Sequence, residues 1–266
     1  MRGPSLRPTS GCALAAALAV FALAASTPAA AAPARAETPE QIAAELGAND
    51  TALRQAIATW RGTAGDPPGG QAPDEVIGPS LVLQERVRQL AESPELAAET
   101  IALLPGPLAS DVRALTAAAV KLALLHGGGK ARKLKVGKPE PLADLVGHYR
   151  EAEGADNVEV HYLAAINLVE TKFGRVKSNS TAGAKGPMQF IPGTWKIYGE
   201  GGDIRDPHDA IRAAARLLRD RGAPRNYARA LYAYNNSKLY VQAVSIFAKL
   251  IARDPDAMAI LYCWGP

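Results

Sequence analysis

Asp156-Asn157-Val158-Glu159-Val160-His161-Tyr162-Leu163-Ala164-Ala165-Ile166-Asn167-Leu168-Val169-Glu170-Thr171-Lys172-Phe173-Gly174 is the stretch whose reading decides the fold. Asp156 followed three residues later by Glu159 is a capping-box pattern, which predicts a helix start. Val158, Tyr162, Ile166 and Val169 recur at helical spacing and share one face. Gly174 suits the left-handed residue that ends a helix. The helix is mostly apolar and carries one acid, Glu170, at its C-terminal end. There both the helix dipole and apolar neighbours disfavour a negative charge. A carboxyl held protonated near neutral pH is what a glycosidase uses as general acid. An apolar pocket is a known means of raising a catalytic carboxyl into that range.

Helical signals continue on both sides. Residues 175–193, rich in Ser, Gly and Pro, read as a structured loop. Asp206-Pro207-His208-Asp209 opens a helix by cap and proline chemistry, with Ala210, Ile211, Ala214, Leu217 and Leu218 as its apolar face and Gly222 as its end. Two further helices are predicted over roughly 224–234 and 238–252. Upstream, Pro141 opens a helix ending near Gly154. Residues 38–60 form one helix, and 62–79 is a Gly/Pro-rich linker. Residues 80–126 read as a helical hairpin or small bundle in which Ser93 caps one helix and Ser110 or Asp111 the next, ending at Gly127-Gly128-Gly129. Lys130–Lys138 is a basic connector, read as a solvated linker with a wall-tethering strip as the alternative. No stretch alternates as a strand does, so the fold class is all-α. The expected organisation is a helical region at 37–139, a second domain at 140–254 and a C-terminal tail at 255–266.

Three pieces of sequence, in order, carry a resemblance: Glu170-Thr171; Gly183-Ala184-Lys185-Gly186-Pro187-Met188-Gln189; and Ala233-Tyr234-Asn235. Together they resemble the lysozyme-like domain of lytic transglycosylases, both the soluble type and membrane-bound type B, over roughly residues 140–252. Thr171 stands where that family more often has Ser, which keeps the hydroxyl. Residues 37–139 match no part of the family. The resemblance implies a lysozyme-like transglycosylase domain with an N-terminal helical extension, acting on peptidoglycan glycan strands without a cofactor. It implies Glu170 as the single catalytic acid/base. Gln189 and the glycine-rich loop backbone would bind sugar N-acetyl groups, and Met188 would pack beneath a sugar ring. Tyr234 would orient Glu170 or the reacting acetamido group, and Ser178 and Asn235 would also contact substrate. Such an enzyme needs no second carboxylate, whereas a lysozyme-type hydrolase generally needs two. Asp206 and Asp209 are explained by helix capping, which leaves Asp203 as the one loose candidate. A hydrolytic muramidase of similar fold and a non-catalytic peptidoglycan-binding module remain open beside the transglycosylase.

The rest of the chain fits a secreted protein. Arg2 and Arg7 precede an apolar run from Cys12 to Ala25, and Ala34-Arg35-Ala36 gives an A-x-A cleavage pattern, so residues 1–36 read as a signal peptide. Its removal takes Arg2, Arg7 and Arg35 and no acid, lowering the net charge from +4 to +1. That balance excludes a nucleic-acid binder, which needs a denser basic footprint. Cys263 would then be the one remaining cysteine, so no intramolecular disulfide forms. His148 and His161 lack partners at metal spacing, and Asp203–Asp209 does not follow the EF-hand pattern. The expected protein is an extracytoplasmic monomer that needs no metal, with other cell-wall enzymes as candidate partners.

Overall fold

The computed structural model describes residues 37–127 and 134–266. The expected signal peptide and residues 128–133 of the basic connector lie outside them. The described residues form eleven helices and no sheet: α1 (Pro39–Ala64), α2 (Asp74–Glu92), α3 (Pro94–Leu103), α4 (Gly106–His126), α5 (Leu142–Asp156), α6 (Val160–Thr171), α7 (Pro192–Tyr198), α8 (Pro207–Asp220), α9 (Tyr227–Tyr234), α10 (Lys238–Arg253) and α11 (Ala257–Tyr262). No helix among the described residues is long and apolar enough to cross a membrane.

Helix ends follow local chemistry. Thr38 and Gln41 make a reciprocal capping box at α1. Ser93, Asp206, Asn226 and Ser237 accept backbone N–H bonds at α3, α8, α9 and α10. Gly127, at φ 59°, ends α4.

Several boundaries differ from those expected. α5 runs on to Asp156 and stops at Asn157, which takes the left-handed conformation at φ 55°. Asp156 therefore closes α5 and does not cap α6; it is buried and pairs with Arg219 of α8. The first turn of α6 is capped from the preceding helix, where the Glu153 carboxylate accepts the Val160 N–H at 3.2 Å. α4 starts at Gly106, ahead of Ser110 and Asp111, both of which instead accept hydrogen bonds from Arg253. α2 begins at Asp74 and contains Pro79, so the loop after α1 is shorter than the 62–79 stretch. Lastly, α6 ends at Thr171 rather than Gly174. Lys172, Phe173 and Gly174 are all left-handed, with φ of 53°, 57° and 80°. For Lys and Phe that conformation costs about 1–2 kcal/mol each. It reverses the chain directly after Glu170.

α6 is the hub. Every residue from Leu163 to Thr171 is buried, and α5, α8, α10 and α11 pack around it. α10 lies between α6 and α4, so its buried residues face both the second half of the chain and the first. α1–α4 pack on one another, and one hydrophobic cluster runs from Ile42 to Trp264. The last residues are part of it: Ile260, Leu261 and Trp264 are buried, and α11 packs on α2. Polar contacts close the same seam. The Gln84 amide donates to the Gly265 carbonyl and accepts from its N–H, both at 2.9 Å. Arg54 on α1 reaches Asp254 and Asp256 at 3.2 Å and Asp111 on α4 at 3.5 Å.

Candidate active site

Glu170 sits one residue before the end of α6 with only 1% of its surface exposed. Its Oε1 accepts a hydrogen bond from the Tyr240 hydroxyl at 2.8 Å. Its Oε2 is buried and makes no hydrogen bond within the protein. Burial pushes the carboxyl from its ordinary 4.5 up to about 8, and the Tyr240 hydrogen bond pulls it back part of the way. A buried polar atom without a partner is uncommon and calls for a reason; a catalytic role is one.

Tyr240 is a site residue that the sequence motifs do not mark. It lies in the first turn of α10, fully buried, on the stripe continued by Val244, Phe247 and Ile251. That stripe is readable from spacing, and a buried phenol needs a partner for its hydroxyl. The identity of the partner is not readable, because it comes from a helix 70 residues earlier.

Tyr234, at the end of α9, stands beside Tyr240 with the rings parallel within 4° and 6.4 Å apart. Its hydroxyl donates to the Met188 carbonyl at 2.6 Å and not to Glu170. The hydroxyl that holds Glu170 is thus Tyr240's. Burial, and then the charge of Glu170, push the Tyr234 hydroxyl well above its ordinary pKa of 10.

The glycine-rich loop is tied to the end of α6 by Thr171. Its hydroxyl donates to the Pro187 carbonyl at 2.6 Å and accepts the Gly174 N–H at 2.9 Å. Either Ser or Thr can make that pair of bonds. Gly186 must be glycine: its φ is 73°, and a Cβ there would lie 1.7 Å from the Ile204 carbonyl oxygen. Gln189 is left-handed at φ 50° and buried, and its amide donates to the Gly186 carbonyl at 2.8 Å. Met188 is fully enclosed by the core. Asn235 is buried at the end of α9, its N–H donating to Leu231.

Glu170, Tyr240, Tyr234, Met188 and Gln189 therefore form one connected group drawn from three separated segments. Ser178 stands apart, half-buried, its hydroxyl oxygen accepting the Lys135 N–H at 2.7 Å. Asp203 is a loop residue: its carboxylate accepts the Arg205 N–H at 2.9 Å, and its own N–H goes to Asp209. Asp206, His208 and Asp209 bring ligand-type atoms within 4.8 Å of one another. Asp206 caps α8, Asp209 holds the Asp203 N–H and His208 pairs with Glu151, so each already has a structural role.

Helices of the second half of the chain thus converge on one buried glutamic acid, whose carboxyl burial biases toward the protonated form. Residues 148–245 match the family model described as the transglycosylase SLT domain. The chain thus carries a lysozyme-like domain of the lytic transglycosylase family, which acts on peptidoglycan. No curated protein and no solved structure matches the chain.

Proposed function

We propose that the protein cleaves the β-1,4 bond between N-acetylmuramic acid and N-acetylglucosamine, leaving 1,6-anhydromuramic ends, with Glu170 as both acid and base. The observation that carries this reading is the state of the Glu170 carboxyl. It retains its proton to about pH 8, one oxygen is fixed by Tyr240, and the other is unengaged. The proton on Oε2 passes to the glycosidic oxygen as the bond from C1 breaks. The substrate's own acetamido oxygen stabilises the positive charge at C1. Glu170, now a carboxylate, takes the proton of the muramic 6-hydroxyl, and O6 closes on C1. The carboxyl is regenerated and no water is consumed. Tyr240 acts as a positioning residue throughout.

Burial and the Tyr240 bond account for the proton affinity of Glu170, with no contribution from a neighbouring carboxylate. That favours a one-carboxylate reaction over the two-carboxylate hydrolysis of lysozyme-type enzymes. Gln189, Ser178, Tyr234 and Asn235 would line the glycan site; Met188 has no exposed surface to offer a sugar ring and would support the loop from the core instead. Residues 1–36 would direct the protein, acting as a monomer, to the cell envelope. Mass spectrometry of muropeptides released from purified peptidoglycan tests the reaction directly. Anhydro ends are expected; reducing ends, heavier by one water, would make the protein a hydrolase.

A further inference from the structure

Beside the end of α6 two extended segments meet at a single antiparallel β-bridge, forming a minimal ribbon. Val136 pairs with Val176 in antiparallel fashion, with Lys177 N–H donating to the Lys135 carbonyl at 2.7 Å and Gly137 N–H to the Arg175 carbonyl at 2.9 Å. The pairing sets Lys135 directly opposite Lys177. Lys135, Lys138 and Lys177 are all exposed. Like charges directly opposite each other weaken a ribbon. Among the described residues no carboxylate lies within 4 Å of any of the three. Gly137 shows that the arrangement is accommodated by the fold. Its φ is not in the left-handed region, so the backbone does not require glycine. Instead the Lys177 stem lies across it, and a Cβ on Gly137 would come within 3.0 Å of Lys177 Cε.

The ribbon is fixed to the active site. The Val176 N–H donates to the Thr171 carbonyl at 3.0 Å, the Arg175 N–H to the Lys172 carbonyl at 3.2 Å, and the Lys135 N–H to Ser178. Unbalanced cations are thus held on a braced edge that is hydrogen-bonded to the two residues directly after Glu170. Peptidoglycan carries its anions as carboxylates on the peptide stems of the muramic residues, beside the bond that is cut.

We infer that Lys135 and Lys177, supported by Lys138, bind peptide-stem carboxylates of the substrate, so that the enzyme prefers stem-bearing glycan to bare glycan. This rests on the peptidoglycan reading above and adds the part of the substrate that is recognised. Such contacts are open to solvent and screened by salt, so their effect is moderate.

The test uses one peptidoglycan preparation, freed of phosphate polymers and divided in two, one half stripped of its stems by an amidase. Wild type and Lys135→Glu/Lys177→Glu are assayed on both. Circular dichroism and melting confirm that the variant is folded, and Lys135→Gln/Lys177→Gln provides a second version without repulsion. On stem-bearing glycan the charge-reversed variant should lose about fivefold to tenfold in kcat/KM at low salt, with the neutral variant between it and wild type. On stripped glycan all three should be equal. Equal losses on both substrates, or no loss on either, overturn the inference while leaving the transglycosylase reading intact. A wild-type enzyme that releases nothing from either substrate removes both.

Discussion

The Tyr240 hydroxyl donates to Glu170 Oε1 at 2.8 Å, from the first turn of α10 to the last turn of α6. This one bond fixes one oxygen of the carboxyl and leaves the other, Oε2, without a partner in the protein. It also lowers a pKa that burial alone would take higher still.

Tyr240→Phe should therefore raise the Glu170 pKa. The hydroxyl stabilises the carboxylate, and without it the proton is held to higher pH. The basic limb of the kcat/KM profile should move upward, with kcat lower by about tenfold because the carboxyl is no longer aimed. A pH profile that kept its position while activity fell would mean that Tyr240 matters for packing alone.

Glu170→Gln should abolish anhydro-muropeptide release, since acid/base assistance contributes about 10²–10⁴-fold and this residue would serve twice. The variant should still sediment with peptidoglycan. Its stability should respond in the opposite direction to its activity. In the folded protein the proton stays on Glu170 to about pH 8, whereas the unfolded chain releases it near 4.5. The stability linked to that proton is full below pH 4.5 and is lost as pH rises to about 8. Gln carries no such penalty, so the variant should melt several degrees above wild type at about pH 8, with the gap closing toward pH 4.5. Melting curves at both pH values read this out; a variant less stable than wild type at the higher pH would contradict the buried, protonated carboxyl.

Asp203→Asn should retain most activity, because Asp203 holds its own loop rather than the Glu170 group. If it were as inactive as Glu170→Gln while still folded, a two-carboxylate hydrolase would be the better account.

Thr171→Val should destabilise the fold by about 1–3 kcal/mol, leaving the Pro187 carbonyl and the Gly174 N–H without their buried partner. Thr171→Ser should be far milder. Denaturant unfolding of the pair separates loss of the hydroxyl from loss of the methyl.

The helical class is legible in the sequence because caps and apolar spacing are local. Ser93, Asp206 and Gly127 act as their residue types suggest. Asp156 does not, since the pattern that suggests a cap cannot reveal that Asn157 will take a left-handed turn and free Asp156 for Arg219. The site divides the same way. Glu170 is marked by the three ordered motifs, its place at the end of an apolar helix being insufficient alone. Tyr240 is hidden because its partner is set by how α10 crosses α6. The C-terminal residues read as a tail, yet Leu261 and Trp264 are buried; their burial depends on α2, which only the folded chain brings near.

Gln84 holds Gly265 through both backbone groups, as a neighbouring strand would. The stretch that matches the family model, 148–245, is therefore shorter than the stretch that packs as one core. A fragment trimmed to the recognisable domain would strip α4 from one flank of α10 and remove Arg54 together with its acidic partners. The expected outcome is a fragment that aggregates or melts early, while the intact chain unfolds in a single step. For anyone transplanting this activity onto another scaffold, the practical unit begins at α1 and ends at the last glycine.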